Sequence, residues 1–119
     1  MRILLVDDDD YVRSSVTECL TARGHEVRAY VTASESLAVM ELFQPELVIS
    51  DIQMPGMDGI ELLSRIREKS MDLPVILMTS EQTVDTALKA WNRAYDYLNK
   101  PVRMKVLLAC IEKIEGAGG

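Results

Sequence analysis

The chain has 119 residues, of which 48% are hydrophobic and 27% charged, so it suffices for one globular domain whose core needs no disulfide or metal staple. Its formal net charge of -6 lacks the basic excess that phosphate-backbone binding needs, which argues against nucleic acid as a direct partner. The apolar start MRILLV is too short for a signal peptide or a membrane span, and acids follow it at once, so a cytoplasmic protein with no membrane partner is expected.

The elements alternate along the chain. A strand is expected at 2–6 (RILLV). A helix follows in which Val12, Val16, Cys19 and Leu20 share one face, with Gly24 where a C-terminal cap belongs. Strand 26–30 (EVRAY) leads to a second helix carrying Leu37, Val39, Met40 and Phe43, stopped by Pro45. Strand 46–50 (ELVIS) is followed by a loop and a third helix, with Asp58 as N-cap and Ile60, Leu62, Leu63 and Ile66 as its apolar face. Strand 74–78 (PVILM) precedes a fourth helix bearing Val84, Leu88 and Trp91. Strand 95–98 (YDYL) precedes a fifth with Val106, Leu107, Cys110, Ile111 and Ile114. The closing GAGG reads as a flexible tail or the start of a linker, which places the domain at 1–115 and the tail at 116–119. Strand–helix alternation with short links predicts an open, doubly wound parallel sheet with helices on both faces. Ligands in such sheets bind outside the carboxyl ends of the strands.

Cys19 and Cys110 sit at apolar helix positions, outside any CxxC or Cys/His cluster, and read as buried reduced thiols of a reducing compartment. His25 reads as a solvated loop residue without ligand partners. As the single histidine it also removes any histidine-based triad.

Chemistry gathers at the strand ends. Asp7, Asp8, Asp9 and Asp10 follow the first strand, Asp51 the third, Thr79 and Ser80 the fourth, and Lys100 and Pro101 the fifth. In the order 2-1-3-4-5 these ends are consecutive. Two carboxylates about 5 Å apart repel by roughly 3 kcal/mol at an effective dielectric near 20, so a cluster of three demands compensation. A hard divalent cation supplies it: Mg²⁺, or Mn²⁺ in its place, suits Asp7, Asp8 and Asp51 with room left for a phosphoryl group. Asp9 and Asp10 fit a helix cap. Lys100 adds a positive charge for anionic oxygens and Thr79 a hydroxyl donor. The bond from Lys100 to Pro101 is prone to cis and would aim the lysine. An exposed strand-end carboxylate beside a cation can attack phosphorus and form an acyl phosphate, which assigns Asp51 as nucleophile. Pro55, Gly56 and Gly59 shape the loop above it, with Gly56 or Gly59 at a positive φ. Trp91 fits either the core or an exposed partner face. Met54 and Met57 fit either partner contacts or loop packing.

The segments LLVDDD (4–9), DIQMPGMDG (51–59), ILMTS (76–80) and YLNKP (97–101) together resemble the receiver domain of two-component response regulators, over essentially the whole chain. The resemblance implies a CheY-like, flavodoxin-like (βα)5 fold with strand order 2-1-3-4-5. It implies Asp51 as phosphoacceptor. Asp8 would bind the metal directly, Asp7 largely through water, and the backbone carbonyl of Gln53 would be a further ligand. Thr79 and Lys100 would bind the phosphoryl group, and Tyr97 would be the aromatic that turns inward when Thr79 moves. Gln53 and Glu81 would tune hydrolysis of the acyl phosphate. The implied phosphodonor is a sensor histidine kinase or a histidine phosphotransfer protein. The implied output is a partner-binding or homodimer face made by the fourth helix, fifth strand and fifth helix.

The sequence departs from the family in carrying Arg93-Ala94 where Gly-Ala is usual, and in a segment from Thr79 to Lys100 one residue shorter. Both changes fall beside that output face. Two other readings are weighed: a receiver-fold interaction module that works without phosphorylation, and a haloacid-dehalogenase-type phosphatase. The latter wants a second acid two residues after the nucleophile, where this chain has Gln53, and a cap domain. The domain is therefore read as no metabolic enzyme, catalysing only its own phosphotransfer and dephosphorylation.

Overall fold

The computed structural model describes residues 1–118. Strands β1 (Arg2–Val6), β2 (Glu26–Tyr30), β3 (Leu47–Asp51), β4 (Val75–Thr79) and β5 (Asp96–Asn99) alternate with helices α1 (Asp10–Ala22), α2 (Ala33–Phe43), α3 (Gly59–Lys69), α4 (Val84–Ala90) and α5 (Met104–Gly118). The last three strands each lie one residue later than the apolar runs suggest, because their final residues, Asp51, Thr79 and Asn99, are polar. All neighbours pair in parallel in the order β2-β1-β3-β4-β5. α5 runs on through Gly116 to Gly118, past residue 115 where the sequence suggests a tail, and Gly119 lies outside the described residues.

The unbroken apolar runs of β3 and β4 bury every residue, as strands covered on both faces must. Alternate side chains feed two cores. Leu4, Val6, Val48, Val75 and Leu77 pack with Phe43 of α2 and Leu62, Leu63 and Ile66 of α3. Ile3, Leu5, Ile49, Ile76 and Met78 pack on the other face with Val16 and Leu20 of α1 and Leu107, Ile111 and Ile114 of α5. The edge strand β2 is half exposed, in keeping with its mixed sequence.

Local chemistry sets the helix ends. Asp9 caps α1 by accepting from the backbone N–H groups of Tyr11 and Val12, and Asp58 caps α3 by accepting from Glu61 N–H. Gly24, with φ +88, turns the chain after α1, whereas Gln44 takes the left-handed position after α2, just before Pro45.

One open alternative is decided and one expectation is corrected. Val84 and Leu88 of α4 and Trp91, its C-cap, all look outward: they are 78%, 69% and 78% exposed. α4 has only seven residues, and Ala90 is the one it buries. Trp91 is thus an exposed aromatic and no part of the core. His25 is buried, not solvated. Its Nδ1 lies 3.0 Å from the Met1 amino group, and its Nε2 lies 4.0 Å from Glu115. The turn at Gly24 folds it back, with His25 N–H donating to Leu20 O, so the ring sits beneath the start of β1. Met54 is buried and Met57 half-buried against the α2–α3 core, so both are loop packing.

Candidate functional site

Parallel strands that end together bring their following residues together. The β1 and β3 ends place one carboxylate oxygen each of Asp7, Asp8 and Asp51 within 4.8 Å of one another. β5 delivers Lys100, whose Nζ lies 2.8 Å from Asp7 Oδ2 and 3.2 Å from Asp51 Oδ2. Lys100 is tied to β4 through its backbone N–H, which donates to Thr79 O at 2.7 Å; the bond to Pro101 is cis. Asp7 is held by its Oδ1, which accepts from Asp9 N–H at 2.9 Å. Asp9 in turn caps α1, so the helix cap and the acidic turn are one construction.

The lysine does not satisfy these acids. Asp7 Oδ2 has Lys100 as its one partner, and Asp51 Oδ1 is buried without any hydrogen-bond partner. Burial raises the pKa of Asp51 above its ordinary 3.8, and the charge of Asp7 adds to the effect, against the pull of Lys100. Burial alone would depress Lys100, but its contacts with Asp7 and Asp51 outweigh that and leave it raised. Three carboxylates against one lysine leave two negative charges, which fits a hard divalent cation, the donor set being all oxygen.

Asp51 is only 4% exposed, where the sequence suggested an exposed carboxylate. Access comes through a cavity of about 520 Å³ whose lining includes Asp8, Asp51, Gln53, Ser80 and Lys100. The loop over Asp51 is set by two glycines for different reasons. Gly56 takes the positive φ of +76. Gly59 does not; it is needed because a Cβ there would lie 2.3 Å from Asp51 O. Gly59 N–H donates to Ile52 O at 2.9 Å, which ties the start of α3 to the end of β3.

Thr79 has its hydroxyl engaged. It accepts from Glu81 N–H at 3.0 Å, and its one proton faces Gln53 Oε1 at 2.7 Å and Glu81 O at 3.0 Å. Gln53, Thr79 and Glu81 therefore form one cluster beside the acids. Tyr97, half-buried against the α2–α3 core, has its hydroxyl 2.8 Å from Thr86 Oγ1 on α4.

Three features escaped the sequence reading. Arg13 Nη1 donates to Asp7 O at 2.7 Å while its other arm pairs with Asp10, pinning the acidic turn. A cation one turn into a helix that begins with acids was the available signal. Arg93 reaches Ser64 Oγ on α3 at 2.5 Å, and Arg67 donates to Arg93 O at 2.9 Å, so the residue that replaces the usual glycine bridges α3 to the exit of α4. Thr86 as partner of Tyr97 had no signal, since it depends on how α4 lies on β5. Of the two thiols expected to be buried, Cys19 is only half-buried, whereas Cys110 is buried and donates to Asp96 Oδ2 at 3.1 Å; burial, helped by Asp96, pushes its thiol up to about 11. Among the described residues, no helix is long and apolar enough to cross a membrane.

A five-stranded sheet of this order, with acids at the switch point and a lysine after β5, defines a class of signalling domain. Residues 3–112 match the response regulator receiver domain, and the chain belongs to that family. It is 39% identical over 112 residues to the DNA-binding transcriptional regulator NtrC of Proteus hauseri, which covers 93% of this chain and 24% of NtrC. It is 42% identical over 113 residues to the response regulator protein FleR of Pseudomonas aeruginosa, covering 94% of this chain and 24% of FleR. The chain thus spans about a quarter of the length of these curated relatives. Its fold is shared with a CheY-like receiver domain protein from Methanospirillum hungatei, at a TM-score of 0.91 and 34% identity over 97% of this chain and 94% of the other. The chemotaxis response regulator CheY4 of Vibrio cholerae follows it with a TM-score of 0.86 and 28% identity, over 95% and 97%. The domain is therefore a receiver and not a classical enzyme.

Proposed function

We propose that this receiver is a phosphorylation switch in which Asp51 accepts a phosphoryl group from a phosphohistidine on a sensor kinase or phosphotransfer protein. The observation that carries this reading is the convergence of Asp7, Asp8, Asp51 and Lys100 at the strand ends, with a buried Asp51 oxygen left without a hydrogen-bond partner. Asp8, Asp51 and the carbonyl of Gln53 would hold Mg²⁺, with Asp7 acting largely through water. Bound there, the ion would offset charge developing on the transferring phosphoryl oxygens. Asp51 attacks phosphorus, and Lys100 stabilises the same charge from the β5 side.

The acyl phosphate competes for the groups that now hold Thr79. Thr79 leaves Gln53 and Glu81 to donate to the phosphoryl group, Tyr97 exchanges Thr86 for an inward position, and α4 shifts. Gln53 and Glu81 set the rate of return, because both contact Thr79 directly. The exposed Val84, Leu88, Trp91, Tyr95 and Val106 lie on or beside α4, β5 and α5 and suit a partner or a second copy of the domain. As in the transcriptional regulators it is similar to, the receiver would control a separate output in the cytoplasm.

The test is phosphorylation with acetyl phosphate and Mg²⁺, followed by gel shift and intact mass. Labelling that needs Mg²⁺ and vanishes in Asp51→Asn is expected. Equal labelling of that variant would defeat the assignment.

A further inference from the structure

Asp8 is the exposed member of the acid cluster, and its backbone is held from outside on both sides. A residue between two planar peptide units has only two soft backbone dihedrals, so fixing both planes fixes where its side chain starts. The unit after Asp8 is held because Asp9 N–H donates to Asp7 Oδ1 at 2.9 Å. The unit before it is held by Arg13, whose Nη1 donates to Asp7 O at 2.7 Å. The other arm of Arg13 pairs with Asp10, three residues back at the start of α1. An exposed pair at that spacing would be worth little. Arg13 is no such pair: its side chain is only 18% exposed, and it reaches off its own helix to a strand-end carbonyl. A charged donor on a carbonyl makes a strong bond, and the planar guanidinium can hold two partners at once.

We infer that Arg13 is a positioning residue for the metal site: its guanidinium fork sets the peptide plane from which Asp8 presents its carboxylate. The inference rests on Asp8 and Asp51 being metal ligands. Its sign separates it from a simple charge effect. A cation beside the site repels Mg²⁺, so on charge alone removing it would tighten binding. Removing a group that positions Asp8 loosens binding instead. Outer contacts that orient ligands are typically worth about ten- to a hundredfold in metal affinity. A second signature lies in the choice of ion. Mg²⁺ demands near-ideal octahedral geometry, whereas Ca²⁺ accepts longer and less regular coordination. Lost positioning therefore weakens Mg²⁺ more than Ca²⁺, while a lost charge or a general loss of stability acts on both ions alike.

The experiment titrates the whole chain, stripped with EDTA and dialysed, with Mg²⁺ and separately with Ca²⁺, following the amide resonances of Asp8 and Asp9. Arg13→Gln removes both the charge and the fork, whereas Arg13→Lys keeps the charge and removes the fork. Each variant should raise the Kd for Mg²⁺ by about tenfold and that for Ca²⁺ by clearly less. Arg13→Lys also keeps the aliphatic stem, so it carries the experiment should the glutamine variant not fold. Tighter Mg²⁺ binding by Arg13→Gln would show that Arg13 acts only as a charge, and wild-type affinity in Arg13→Lys would show that the fork is not needed. Equal losses for the two ions would mean a general effect on the fold. Each of these three results overturns the inference and leaves the metal-site reading standing. A wild-type chain that binds no Mg²⁺ overturns both.

Discussion

Asp51→Asn should stabilise the folded domain in the absence of divalent cations, and the reason lies in the balance of charges around it. At the 4.8 Å that bounds the acid cluster, each like-charged neighbour costs Asp51 about 3.5 kcal/mol at an effective dielectric of 20. Lys100 at 3.2 Å returns about 5 kcal/mol on the same footing. These terms largely offset one another, so the burial of a 4% exposed carboxylate decides the sign, and its pKa is raised. Each unit of such a shift corresponds to about 1.4 kcal/mol. Asparagine keeps the shape and drops the charge, while Lys100 keeps Asp7 at 2.8 Å. On the Coulomb terms alone the two repulsions exceed the attraction by about 2 kcal/mol, so the variant should be the more stable at pH 7 in EDTA, by up to about that amount, and melt at a higher temperature.

The pH dependence has a definite sign. A carboxyl with a raised folded pKa binds its proton more tightly folded than unfolded. The wild type's penalty is thus full above the raised value and disappears as pH falls toward 3.8, so the variant's advantage should fade over that window. Mg²⁺ at a hundred times its Kd should add about 2.7 kcal/mol to the wild type, and less to a variant short of one ligand oxygen, narrowing or reversing the order. Thermal and urea denaturation at several pH values, with EDTA and with Mg²⁺, measure all of this. A variant less stable than wild type at pH 7 in EDTA, or equal stabilisation of both by Mg²⁺, would refute the reasoning.

Gly59→Ala should cost about 1–3 kcal/mol in urea denaturation, because its Cβ would press on Asp51 O at 2.3 Å and Ile52 Cα at 2.8 Å; a neutral effect would mean the contact relaxes freely. Arg93→Gly removes the guanidinium that bridges to Ser64, so α4 amides should exchange faster with solvent while those of β3 and β4 do not; unchanged α4 protection would show the bridge to be incidental. With its thiol at about 11, Cys110 should react with a disulfide reagent at pH 8 about a hundredfold more slowly than in the unfolded chain, and a rate near the unfolded one would contradict its burial.

Much of this architecture was legible because it is written in periodicity. Unbroken apolar runs such as LVIS and VILM can only be strands covered on both faces, and Asp58 before an apolar helix face is a cap on its own terms. The residues after the strands were equally readable, since parallel alternation puts every carboxyl end on the same side of the sheet. The reading left the face of α4 open and failed at His25, at Cys19 and at the exposure of Asp51. Spacing puts Val84, Leu88 and Trp91 on one face, but only packing says that Ala90 meets the core in their place. His25 follows a glycine like any loop residue, and its burial depends on where α5 and the start of β1 come to rest.

The sequence alone determined which residues are strand, helix and strand end, because those follow from local pattern and backbone chemistry. Tertiary structure alone decided the distances: that Lys100 reaches both Asp7 and Asp51, that Thr79 is held by Gln53 and Glu81, and that Arg93 ties α4 to Ser64. Such contacts join positions far apart in the chain, and they form only after the sheet order and the lie of each helix have been set by burial. A pattern of one residue against its neighbours holds no record of that step.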